Sequence, residues 1–365
     1  MRARIRVDGQ LRDIQPVTSQ ARESAVIAAL ITQSETMRID EYRQPMDGRV
    51  LVTCDKKPYD LRINIAPVQS GGHDARARRS AAIRILSKES VTGGLSGLGF
   101  TDEVVASVRN VTTNPHGMLL VTGPTGSGKS TTLASILGEL NVPTRKLITI
   151  EDPVEYTIPG VEQIEVNDKC DLTFVSALRS ILRRDPDIIM VGEIRDTETA
   201  RTAINASLTG HLVLSTLHTN DAPSATERLI DLGVEHFLLA DILVAVLSQR
   251  LVRRICPNCR VERTLTGEEM TKLSAFPTGT DAVKIWQGRG CTQCNKTGHK
   301  GRVAIHELLL VDPDLVSLIA RRAPLQEIRL AATKAGMKTM YEDGLQKAIM
   351  GLTTIEEVLA NARHD

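Results

Sequence analysis

The chain has 365 residues, 24% charged and 41% hydrophobic, a globular balance that excludes a disordered or fibrous polymer and allows two or three domains with separate cores. Lys and Arg number 45 against 44 Asp and Glu, so no bulk positive field recommends nucleic acid as a partner. No apolar block of the signal-peptide kind opens the sequence. The most apolar stretch, Phe237 to Val252, is broken by Asp241, Ser248, Gln249 and Arg250; it is too short and polar to span a bilayer and reads as a buried helix.

The first ~85 residues read as a small α+β unit. Asp8-Gly9 and Asp47-Gly48 each sit between short alternating apolar runs, the pattern of tight hairpins. Between them Val26, Ile27, Leu30 and Ile31 repeat at helical spacing, with Thr18 and Ser19 as caps and Glu23 in the first turn. Strands follow at Val50-Thr53, Leu61-Ile65 and Ile83-Leu86. Gln69 to Ser80 is polar, Gly-bearing and Arg-rich and reads as a mobile loop; Thr92-Gly93-Gly94-Leu95-Ser96-Gly97 marks a linker.

From about Phe100 to Gln249 the rhythm becomes strand, turn, helix, repeated. Met118-Val121, Leu147-Ile150, Ile188-Val191 and Leu212-Ser215 are continuous apolar runs, as expected for parallel strands covered on both faces. Gly123-Pro124-Thr125-Gly126-Ser127-Gly128-Lys129-Ser130 matches the P-loop pattern between a strand and the helix-forming run Thr131-Leu140. Its glycines let backbone N–H groups turn toward one anion, and a helix N-terminus adds partial positive charge. Lys129 is expected to reach the β and γ phosphates of a nucleotide and Ser130 to ligate Mg²⁺.

Asp185-Pro186-Asp187 leads into an apolar strand that ends at Gly192-Glu193. A carboxylate at that tip can polarise an attacking water. The residue before such a Glu is commonly an Asp that helps hold Mg²⁺; with Gly192 here, another carboxylate or water has to complete the shell. Glu151, Asp152 and Glu155, just past the preceding strand, are candidates facing the nucleotide crevice. His211 and His218 bracket the next strand as a pair able to sense the γ-phosphate. Cys256-x2-Cys259 and Cys291-x2-Cys294 supply four thiolates, which suits a closed tetrahedral Zn²⁺ site. Cys54 and Cys170 read as ordinary buried thiols, and a helical tail begins near Asp312.

These motifs, in this order from about Arg4 to Ala360, resemble the type II secretion and type IV pilus ATPases of the GspE/PulE type. The resemblance implies an α/β fold: a RecA-like P-loop NTPase domain with a parallel-rich sheet, preceded by a small α+β, PAS-like subdomain and followed by a zinc module and a helical tail. The implied division is 1–91, a linker at 92–99, 100–255, 256–303 and 304–365. Glu151, Asp152 and Glu155 fall on the family's Asp box, Glu193 on its Walker B glutamate, His211 and His218 on its His box, and Gly123 through Thr131 on its ATP cradle. Arg62 and Arg84 match arginines that the family sends to the nucleotide. Arg79 follows a lengthened loop where the family has Gly-Glu-Lys-like residues, and does not match.

The same resemblance implies Mg²⁺-dependent ATP hydrolysis by a hexamer and a cytoplasmic place at the inner membrane, held through platform and docking proteins. It also implies work in protein secretion or pilus assembly without direct nucleic-acid contact. The tetracysteine element marks secretion and extension members rather than retraction members. The sequence starts near the N-terminal subdomain, without the docking domain that such enzymes usually carry ahead of it. Alternatives are a retraction motor, a conjugation or DNA-uptake motor, and a nucleotide-binding scaffold with little turnover.

Overall fold

A computed structural model of the chain describes residues 3–14, 20–34, 36–68, 78–87, 94–265 and 284–362. The expected caps Thr18 and Ser19, most of the expected loop after Gln69 and the pair Thr92-Gly93 lie outside these residues. The chain divides into two compact units: Met1–Ser90 with Glu155–Thr157, and Val91–Val154 with Ile158–Asp365.

In the first unit, β1 (Ala3–Val7) and β2 (Gln10–Ile14) pair antiparallel about Asp8-Gly9, both at positive φ, as expected. Helix α1 (Gln20–Gln33) lies with a three-stranded antiparallel sheet of β3 (Met46–Cys54), β4 (Lys57–Val68) and β5 (Arg78–Ser87). Helical spacing puts Ile27 and Ile31 on one face, where they bury against Met37, Val50, Ile63 and Ile65. The second hairpin turns at Asp55-Lys56, with φ of 50° and 64°, the mirrored two-residue turn that matches strand twist. Asp47-Gly48 is therefore not a turn; it lies inside β3. Gly48 is required there by close approach, since a Cβ would stand 2.2 Å from Ser34 Oγ and 2.6 Å from Met37 Cε. Cys54, at the end of β3, and Cys170, in the single turn Asp168–Cys170, are both exposed and not the buried thiols expected, because each sits at a surface chain reversal.

The second unit contains α2 (Asp102–Val111), β6 (Gly117–Thr122), α3 (Lys129–Leu140), β7 (Leu147–Glu151), β8 (Glu162–Glu165), α4 (Phe174–Ile181), β9 (Ile188–Val191), α5 (Thr197–Leu208) and β10 (Leu212–Leu217). It continues with α6 (Ser224–Asp231), α7 (His236–Ile242), β11 (Leu243–Ile255), β12 (Arg260–Thr264), β13 (Lys284–Gly288) and β14 (His299–Leu310). Four helices close it: α8 (Pro313–Ala320), α9 (Leu325–Lys334), α10 (Met340–Ile349) and α11 (Ile355–Asn361). Seven strands form one sheet in the order β14-β11-β6-β10-β9-β7-β8, parallel throughout except for β14 on β11.

Alternation along each strand divides the core. Met118 and Leu120 of β6 join a cluster with Ala177, Leu178, Leu229 and Leu239, while Leu119 and Val121 join Val105, Leu133 and Leu137 on the opposite face. Every residue of β6, β7, β9 and β10 is buried. That two-sided burial is why these strands read as unbroken apolar runs.

Phe237 to Val252 is not one buried helix. α7 ends at Ile242 and the rest is β11, which pairs with β6 on one side and β14 on the other. A helix there would leave both neighbours' backbone groups without partners. The boundary expected at 303/304 falls inside β14, so residues 304–310 are strand and not helix. Leu98 ends a one-turn helix begun by Leu95, itself 1% exposed, so this part of the expected linker is anchored in the core.

Beyond the sheet edge, Val252 and Ile305 pack with Tyr341, Leu345 and Val358. A buried polar group sits among them: Lys347 Nζ donates to Ala304 O at 2.6 Å and Asp343 Oδ2 at 2.8 Å, and lies 3.1 Å from His306 Nδ1. Burial, followed by the nearby charges of Lys347 and Lys338, pushes His306 well below its usual range. Among the described residues no helix is long and apolar enough to cross a membrane.

Candidate functional site

Strands β6, β10 and β9 are adjacent and parallel, so their C-terminal tips share one edge of the sheet. Gly123 leaves the tip of β6 at φ 138°, and a Cβ there would meet Gln249 O at 2.3 Å, so only glycine fits. The chain then curls over Pro124 to Gly128 into α3. Lys129 is 8% exposed, and its ammonium donates back to Gly123 O at 2.8 Å and Pro124 O at 3.1 Å. Ser127 Oγ is buried with no hydrogen-bond partner. Thr125, Gly126 and Ser130 are exposed, and Thr131 is half-buried. A loop holding a buried cation and an orphan hydroxyl at a helix N-terminus is suited to a polyphosphate.

Glu193 lies two residues past β9. Arg195 Nη2 approaches its Oε1 at 2.5 Å, and His218 Nε2, just past the tip of β10, approaches its Oε2 at 3.5 Å. Three neighbouring strand tips thus carry the P-loop, His218 and Glu193. Sequence reasoning did not single out Arg195, although its place two residues after the strand-end glutamate was a signal for it.

His211 is elsewhere. It precedes β10, at the opposite edge of the sheet, with Nδ1 2.9 Å from Ala206 O and 3.3 Å from Thr209 Oγ1. Seven residues of extended chain put it about 20 Å from His218, so within one chain the two cannot attend the same phosphate. The pairing of these histidines at one site is corrected accordingly.

The three acidic residues at the end of β7 and just beyond it differ in burial. Glu151 is buried, and its Oε1 accepts from Thr149 Oγ1 at 2.7 Å and Gln163 Nε2 at 2.9 Å. Asp152 is exposed and Glu155 half-buried. Gly192 donates its N–H to Ile150 O at 2.8 Å, and a Cβ there would press on the β7 backbone, 3.1 Å from Ile150 O and 3.3 Å from Glu151 Cα.

Within the first unit, Arg62 and Arg84 are direct partners across β4 and β5, and Arg49 faces Arg62 from β3. Residues in register share a face, so three arginines form a row on the side of the sheet opposite Ile63 and Ile65. Directly opposed like charges destabilise a sheet, which makes the row a candidate anion surface. Arg49 is tied to buried Asp60 at 2.6 Å. Arg79 is used locally, with its guanidinium 4.2 Å from the centroid of the Tyr42 ring.

Cys256, Cys259, Cys291 and Cys294 come together, with all four sulfurs within 4.8 Å of one another. Measured pairs are 3.9 Å for Cys256 to Cys291, 3.9 Å for Cys259 to Cys294 and 3.7 Å for Cys291 to Cys294. Four thiolates tetrahedral about zinc have sulfurs about 3.8 Å apart, so the donor set and its spacing fit that ion. N–H groups of Cys291 and Gly298 point at Cys294 Sγ and lower its thiol to about 6.

Comparison with known proteins bears on this arrangement. The family model described as type II/IV secretion system protein matches residues 1–360. The type II secretion system protein HxcR of Pseudomonas aeruginosa is 46% identical over 363 residues, covering 99% of this chain and 71% of that protein. The type IV pilus assembly ATPase PilB of Thermus thermophilus is 45% identical over 360 residues, 99% of this chain but 40% of PilB. The chain therefore spans about seven-tenths of one relative and two-fifths of the other. Among solved structures, the pilus retraction motor PilT with bound ADP is similar at a TM-score of 0.66 and 27% identity, over 99% of this chain and 90% of that one. On a match that runs through nearly its whole length, the chain belongs to the type II/IV secretion system protein family.

Proposed function

We propose that this chain is an ATP-hydrolysing motor subunit that powers type II protein secretion or type IV pilus assembly. One observation carries the reading: Lys129 is buried in the loop at the tip of β6, while Glu193 and His218 meet at 3.5 Å on the tips of the two neighbouring strands. A phosphate cradle and a carboxylate base on one sheet edge are what hydrolysis of a phosphoanhydride requires. The identity to a secretion protein and a pilus assembly ATPase supports the assembly role. The lower identity to the retraction motor, together with the four cysteines, weighs against retraction.

In this mechanism the β and γ phosphates of ATP take the place of the Gly123 and Pro124 carbonyls as partners of Lys129. N–H groups of residues 125–131 close around them. Glu193 accepts a proton from water as the water oxygen attacks the γ phosphorus, and ADP leaves with the bridging oxygen. His218 orients that carboxylate from one side and Arg195 from the other. Mg²⁺, held by Ser130 and by water or a carboxylate from the Glu151-Asp152-Glu155 segment, would neutralise charge on the phosphates. Arg62 and Arg84 are the candidates for further phosphate contacts from the N-terminal unit. Zinc on Cys256, Cys259, Cys291 and Cys294 would act as a structural cross-link with no open position. A homo-hexamer at the cytoplasmic face of the inner membrane, engaging platform and docking proteins, completes the proposal.

Steady-state phosphate release from ATP, with Mg²⁺ or with excess chelator, tests the reading when combined with light scattering. Mg²⁺-dependent turnover by a ring-sized particle is expected. A ring that binds ATP without turnover, even with membrane partners added, would favour a scaffold instead.

A further inference from the structure

Gln249 belongs to none of the motifs that define the site, yet it is 1% exposed and touches the P-loop at several points. It lies on β11, the strand beside β6 on the side away from β10. The residue before it, Ser248, pairs with Thr122, the last residue of β6. Both ends of the Gln249 amide are engaged: Nε2 donates to Ser127 O at 2.8 Å, and Oε1 accepts from Thr132 Oγ1 at 2.9 Å. Its backbone oxygen is the atom that a Cβ on Gly123 would strike at 2.3 Å. One residue therefore meets the start of the loop, its penultimate turn and the first turn of α3.

The chemistry explains why the side chain is an amide. A loop that aims its N–H groups inward at phosphate has to turn carbonyls outward, and a buried outward carbonyl needs a donor. Ser127 O is such a carbonyl. Glutamine offers a donor for it and an acceptor for Thr132 on one planar group. Glutamate lacks the donor, and methionine, of similar size, lacks both.

We propose that Gln249 is a positioning residue for the phosphates of ATP: its amide fastens the Ser127 carbonyl outward and ties the loop to α3, which keeps the loop N–H groups aimed inward. The proposal rests on residues 123–130 being the ATP site. Gln249 itself touches no reacting atom.

The test measures the Kd of a fluorescent ATP analogue, with kcat and KM for ATP, on the full chain and its variants. Gln249→Met is expected to raise both Kd and KM about tenfold or more while kcat changes less than about threefold. Gln249→Glu should bind at least as weakly, because a carboxylate cannot donate to Ser127 O and adds negative charge near the phosphates. Thr132→Val, which removes one of the two bonds, should weaken binding about threefold, and Thr132→Ser, which keeps the hydroxyl, should restore the parent Kd. A lower melting temperature with the parent Kd in the folded protein would show a merely structural role and overturn the proposal. Should Gln249→Met not fold, the Thr132 pair decides: equal Kd values for the valine and serine variants overturn it. A parent that binds the analogue no better than Lys129→Ala sinks the ATP-site reading itself, and this inference with it.

Discussion

The P-loop and the cysteine cluster are both short motifs, but they are held in opposite ways. The cysteine cluster assembles its own ligands: two knuckles bring four sulfurs together, and local N–H groups from Cys291 and Gly298 already point at Cys294. The P-loop is completed from outside, by Gln249 on a strand that enters the chain more than a hundred residues later. A site made of side-chain ligands carries its chemistry in its spacing. A site made of backbone N–H groups needs a scaffold to set the backbone, and that scaffold lies elsewhere in the sequence. The two sites share β11, which runs past the P-loop at Gln249 and ends just before Cys256.

The sharpest way to separate them is Lys129→Ala. Loss of the buried ammonium is expected to lower ATP turnover by roughly 100-fold or more while zinc content by elemental analysis is unchanged. The converse is Cys294→Ser, which should abolish zinc retention and lower the melting temperature, with the Kd for ATP rising less than about threefold through β11. A change in ATP affinity as large as that of Lys129→Ala would mean that the two sites are one cooperative structure.

A third prediction compares the two ends of β10. His218→Ala should slow turnover about tenfold, and His211→Ala should leave it within about twofold. Equal losses in the isolated chain would contradict the separation of the two histidines across the sheet.

The smallest effect concerns pH and the core beside β14. His306 is kept neutral in the fold well below its ordinary 6.5. An unfolded chain takes up a proton near that value which the folded chain refuses. Stability is therefore lost as pH falls below 6.5, by up to about 1.4 kcal/mol per pH unit. Glu307 and Asp343, raised by burial, act in the opposite sense at lower pH. The difference in urea midpoint between the parent and His306→Gln isolates the histidine, and it should shrink steadily from neutral to mildly acidic pH.

Much of this architecture was legible in the sequence. The apolar runs read as parallel strands became β6, β7, β9 and β10 because burial on both faces leaves no polar alternation. The P-loop sat where a strand gives way to a helix, and the cysteine spacing pointed to one cluster. What failed was information that local sequence does not hold. Asp47-Gly48 has the letters of a turn, but Gly48 answers to Ser34 and Met37 pressing on β3. An apolar run such as Phe237 to Val252 does not choose between helix and strand; pairing with β6 and β14 chose for it. Ser248, Gln249 and Arg250 were read only as polar breaks against a membrane span, although polar residues inside a buried strand also signal partners. The two histidines bracket β10 in sequence, and a strand crosses the sheet, so bracketing separates them.

In the proposed mechanism one sheet edge both binds ATP and cleaves it, with Glu193 as the base. Its most direct test is single-turnover hydrolysis by the full chain beside Glu193→Gln, each with the Kd for ATP measured on the same sample. Glu193→Gln is expected to bind ATP as the parent does but to hydrolyse it at least about 100-fold more slowly. Equal rates in the two proteins, at equal occupancy, would contradict it.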